Sequence, residues 1–125
     1  MSKTKDLRKV IREQLQTLPG GTYHRKAPSD AEYPYKTFRL ESVSFTDARD
    51  DLYLEIDVWD RNAADDPKGA EDLADRVEAL LRCANLPQPP LYPTFFRENR
   101  YTVEDPDKTL QHIQLHFLVQ IYEEE

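Results

Sequence analysis

Cysteine is almost missing from this chain: Cys83 is the only one in 125 residues, so no intramolecular disulfide can form. A fold held by packing alone fits a reducing compartment such as the cytosol. Glycine is nearly as scarce, with three residues. Gly20-Gly21 follows a helical pattern instead of preceding one, which excludes a glycine-rich phosphate cradle. No apolar run approaches the roughly 18 residues of a membrane span. Residues 1–10 are polar and lack the apolar centre of a secretory signal, so synthesis and assembly in the cytoplasm are expected. Positive charge is also in deficit. Seventeen Lys and Arg face 24 Asp and Glu, a formal net charge of −7. Gripping a phosphate backbone depends on cations that displace counterions, and this balance argues against it. Lys3, Lys5, Arg8, Lys9 and Arg12 cluster near the start, but on the polar side of a helical pattern, where a solvated face is the simpler reading.

What the chain does contain is a sufficient core: 38% of residues are hydrophobic beneath a 33% charged complement. Its length suits one domain over residues 1–125. Leu7, Val10, Ile11, Leu15 and Leu18 mark a helix over 4–18, which Pro19-Gly20-Gly21 stops. Residues 19–34 show no period and read as a long loop with room for one short strand. A strand follows over 35–46, with a change of apolar phase near Glu41-Ser42 that suggests a bulge. A polar turn over 46–51 leads to a strand over 52–60, with Leu52, Leu54, Ile56 and Val58 inward and Tyr53, Glu55, Asp57 and Trp59 outward. Ala70, Leu73, Val77, Leu80, Leu81 and Ala84 give a second helix over 67–84, capped by Asp65 or Asp66 and ended at Asn85. A strand over 91–104 and one over 109–122 complete the chain. In the latter, Ile113, Leu115, Phe117, Val119 and Ile121 alternate with His112, Gln114, His116 and Gln120. The expected fold is α+β in the order α-β-β-α-β-β. Two helices cover one face of a four-stranded antiparallel sheet, mixed at most.

Few residues carry chemistry. His112 and His116 would face one way on a strand about 13 Å apart, at roughly 3.3 Å per residue, too far to share a zinc ion. They read as surface or interface histidines. Glu55 and Asp57, with Asp51 nearby, hold the donor type of a metal-dependent nuclease, but Trp59 stands where such a core would place lysine. A charged hairpin face is the simpler account. No histidine or acid motif accompanies Cys83, so it reads as a structural thiol. The aromatics are more suggestive. Tyr23, Tyr33, Tyr35, Trp59, Tyr92, Phe95, Phe96, Tyr101 and Tyr122 either anchor a protein interface or form a second core layer under the 19–34 loop.

The runs Gly20-Gly21-Thr22-Tyr23, Ala27-Pro28 and Tyr33-Pro34-Tyr35 resemble the opening loop of the tail-completion or tail-terminator proteins of long-tailed bacteriophages. The likeness continues through Leu54-Glu55-Ile56-Asp57-Val58-Trp59-Asp60, the helix Ala70 to Leu81 and the strand Gln111 to Tyr122. It covers most of the chain and rests on element order, not on catalytic motifs. The resemblance implies a structural virion protein without cofactor, metal or enzymatic activity. Its copies would form a six-fold ring that caps the tail tube, stops its growth and makes the tail side of the head-tail junction. The implied partners are further copies of the chain, the tail tube protein and head-tail connector proteins, with genomic DNA passing through unbound and no membrane involved. On this reading Asp47, Arg49, Trp59, Arg97 and Arg100 are candidates for subunit-interface or lumen contacts, and Tyr23, His24, Arg25 and Tyr33 for docking to tube or neck. Another neck component, such as a head-completion or adaptor protein, is the alternative, and the nuclease a remote one.

Overall fold

The computed structural model describes residues 3–45, 49–62, 64–82 and 91–123. Helix α1 spans Lys3–Leu15 and buries Leu7, Val10, Ile11 and Leu15, the stripe that its spacing marks. Two tighter turns follow, closed by Thr17 N to Gln14 O at 3.1 Å and Leu18 N to Leu15 O at 3.1 Å. Gly20 then reverses the chain at φ 86°, where a side chain would strike the Pro34 carbonyl oxygen.

Strand β1, Gly21–His24, runs parallel to β2, Tyr35–Phe45. A register shift between Ser42 and Ser44 falls where the apolar alternation changes phase. Strand β3, Arg49–Arg61, is antiparallel to β2; helix α2 spans Lys68–Arg82; strands β4, Leu91–Val103, and β5, Leu110–Glu123, form an antiparallel pair. Strand β5 also pairs antiparallel with β3, giving the sheet order β1-β2-β3-β5-β4. The strands β3 and β4 therefore run the same way, with α2 crossing between them and β5 inserted in the gap.

The sheet is thus five-stranded and mixed, where the sequence led us to expect four strands, antiparallel or at most mixed. The additional strand lies inside the stretch read mainly as a loop. Its four residues are all half-buried, so no alternation betrays them. The helices do share one face: α1 and α2 join the inward residues of β3 and β5 in a single core cluster. Asp66 Oδ1 accepts from Lys68 N at 3.0 Å and caps α2, while the Asn62 side chain brackets Asp66 through bonds of 2.6 and 2.8 Å. Asp47 in the 46–51 turn, and Cys83 with the 83–90 stop of α2, lie outside the described residues.

Candidate functional site

With both helices on one side, the other face of the sheet has no covering layer among the described residues. Its side chains form a grid fixed by strand register: Tyr35, Trp59, His112 and Val103 in one row, then Thr37, Asp57, Gln114 and Tyr101, then Arg39, Glu55, His116 and Asn99, then Glu41, Tyr53, Leu118 and Phe96. The large side chains most exposed here are Tyr53 at 46%, Phe96 at 47% and Tyr101 at 47%, far from the burial that a core layer would give them.

The first row continues into the loop. Trp59 stacks on His112 with ring centres 3.6 Å apart, Tyr35 stacks on Trp59 at 6.1 Å, and Tyr33 leans on Tyr35 at 5.2 Å. The Arg61 guanidinium lies 5.1 Å from the centre of the Tyr33 ring. Tyr23 meets Tyr35 edge-on at 5.9 Å, and a depression of ≈ 460 Å³ opens between Gly21, Tyr23, Pro28, Tyr33 and Pro34.

The middle rows are a polar network. His112 Nε2 lies 2.6 Å from Asp57 Oδ1, Gln114 Nε2 donates to the same oxygen at 3.1 Å, and His116 Nε2 lies 3.0 Å from Gln114 Oε1. Arg39 Nη2 pairs with Glu55 Oε1 at 3.4 Å. Burial, together with the neighbouring Asp57 that shares its proton, pushes Glu55 up to about 7. Burial alone would raise Asp57 too, but hydrogen bonds from His112, Glu55 and Gln114 outweigh it and hold that carboxyl below its ordinary value. Beside this network a second depression of ≈ 460 Å³ is lined by Arg39, Glu41, Tyr53, Glu55, Asn99 and His116.

This chemistry does not build a metal centre. Asp51 stands four residues from Glu55 along β3, about 13 Å away, and the Asp57 carboxylate is occupied by His112 and Gln114. Among the described residues no three His, Cys, Asp or Glu converge as metal ligands.

The remaining candidate residues separate in space. Tyr23, Tyr33 and Trp59 join the aromatic row. His24 lies on the helix side of β1, against the Phe38 ring at 5.4 Å, and Arg25 leaves β1 at φ 70°. Arg97 and Arg100 lie on the helix side of β4 and pair with α2: Arg97 Nη1 with Glu78 Oε1 at 3.2 Å, Arg100 Nη1 with Asp75 Oδ1 at 2.7 Å and Glu78 Oε2 at 3.1 Å. The sequence did not reveal this clamp, because the register shift between Arg97 and Asn99 is what turns both arginines the same way. Arg49 opens β3.

Comparison with known proteins now bears on this arrangement. The model of a family described as tail completion protein gp17 matches residues 6–122. The chain belongs to that family. It is accordingly a structural protein of a phage-type tail, located in the tail or neck of the virion and working among other tail and neck proteins. A chain from a solved structure titled as the virion of a native gene transfer agent particle has the same fold, with a TM-score of 0.65 at 15% identity over 94% of this chain and 90% of that one. A search of curated proteins gives no match. No helix among the described residues is long and apolar enough to cross a membrane.

Proposed function

We propose that this tail completion protein acts as one domain over residues 1–125, that six copies close into a ring on the end of the tail tube, and that the ring stops tube elongation and presents the tail to the head connector. The family match over residues 6–122 carries the reading. The helix-free sheet face supports it, since Tyr53, Phe96 and Tyr101 offer rigid, half-exposed contact area of the kind that protein partners cover. In the ring, Asp47, Arg49, Trp59, Arg97 and Arg100 lie at subunit contacts or the lumen, and Tyr23, His24, Arg25 and Tyr33 meet the tube or neck. Genomic DNA passes without adhering because a net charge of −7 repels phosphate. The same account leaves no role for a catalytic group or cofactor.

Native mass measured by light scattering across a wide concentration range tests the ring. The expected result is a species of six chain masses that grows in with concentration or on addition of tail tubes. A monomer under both conditions refutes it.

A further inference from the structure

Each edge of the sheet carries a cluster of one sign in mixed surroundings: Asp30 and Glu32 lie near β1, and Arg97 and Arg100 lie on β4, where Glu78 and Asp75 of α2 hold them. At the β1 edge, the Arg12 guanidinium of α1 lies 6.0 Å from the centre of the Phe38 ring, His24 leans on the same ring at 5.4 Å, Arg25 follows His24 in the chain, and Arg8 stands one helical turn before Arg12. Among the described residues none of the three arginines pairs with a carboxylate, and Arg8 Nε is buried without an acceptor. Burial and then this cationic surrounding hold the His24 imidazole below its ordinary pKa. At the β4 edge, Glu104 and Asp105 follow the strand and line a depression of ≈ 210 Å³ with Asp65 and Lys108. Glu71 and Asp72 are exposed at the start of α2, the helix that meets β4 through Asp75 and Glu78.

From this disposition, and resting on the ring reading above, we infer that the arginine cluster at the β1 edge of one copy docks onto the carboxylate cluster near the β4 edge of the next copy. That contact moves His24 and Arg25 from the tube or neck to the subunit contact and leaves Tyr23 and Tyr33 at the tube or neck. Among the described residues no ion pair joins the two clusters within one chain, and the strand order puts β1 and β4 at opposite edges of the sheet. Two different, complementary patches on opposite edges make a head-to-tail contact, the kind that closes into a ring when its rotation allows. A second copy fits the arginines better than nucleic acid does, because three arginines on a chain of net charge −7 give little counterion release.

A charge swap tests the contact. One variant carries Arg12→Glu and Arg25→Glu; the other carries Glu71→Lys, Asp72→Lys and Glu104→Lys. These side chains are spared from the capping and turn bonds that Asp66 and Asp105 make. Circular dichroism and melting confirm that each variant is folded, and Arg12→Gln with Arg25→Gln gives a milder form if reversal unfolds the chain. Each variant alone should raise the concentration needed for assembly by roughly tenfold or more, and salt should weaken wild-type assembly. An equimolar mixture should recover assembly, since acidic and basic edges then alternate around an even-numbered ring. Folded variants that assemble like wild type overturn the edge contact while leaving the ring standing. A mixture no better than its components overturns it as well. Loss of DNA retention with unchanged assembly assigns the arginines to nucleic acid instead. A wild-type chain that stays monomeric both free and with tail tubes removes the ring and the contact together.

Discussion

Lys36 lies wholly inside the core, its Nζ donating to the Pro19 carbonyl at 2.8 Å and the Gly20 carbonyl at 3.1 Å. It ties the end of α1 to the sheet, and burial lowers it to about 8. Below pH 8 both folded and unfolded chains hold the proton, and the cost of burying the charge is present in full. Between about 8 and the ordinary value of 10.5 the unfolded chain holds more protons, so stability rises with pH. Denaturant unfolding across this window should gain about 3 kcal/mol at roughly 1.4 kcal/mol per pH unit, and Lys36→Met should abolish the gain. Glu55 gives the opposite trend. Its folded value of about 7 lies above the ordinary 4.5, so between these the folded chain holds more protons and stability falls as pH rises. Glu55→Gln should remove that decline and leave the chain more stable than wild type at pH 8, as melting curves at pH 5 and pH 8 will show.

Among the elements, the clamp of Glu78 on Arg97 and Arg100 joins α2 to the edge strand β4. Glu78 is mostly buried and Arg97 half-exposed, so part of the pair is screened. Glu78→Ala should cost about 1–2 kcal/mol and speed hydrogen exchange in β4 before β3 or β5. The sequence could not disclose this clamp. On a regular strand, residues three apart face opposite ways, and only the register shift between Arg97 and Asn99 aligns the two arginines. Strand β1 escaped for a related reason: four half-buried residues leave no periodic trace. Strands β3 and β5 were legible because one face of each is buried at every second residue, and α2 because its stripe is continuous. Their alternation also identified the outward residues, Tyr53 to Trp59 and His112 to His116. What it could not supply was the register that sets Trp59 on His112 and Asp57 beside Gln114, since that depends on β5 entering between β3 and β4.

For the whole molecule, one layer of helices leaves one sheet face open among the described residues, and an arginine cluster and a carboxylate cluster lie near opposite sheet edges. A subunit of this kind is complete as a core and incomplete as a surface. Repetition in a ring would bring the edges together and aim the aromatic grid and the 19–34 loop at tube or neck. Capping is the central claim, and tail length measures it most directly. Electron microscopy of particles made without this chain should show overlong tubes without heads, and supplying the wild-type chain should restore uniform, joined tails. Tubes of normal length that carry heads in its absence would contradict the account.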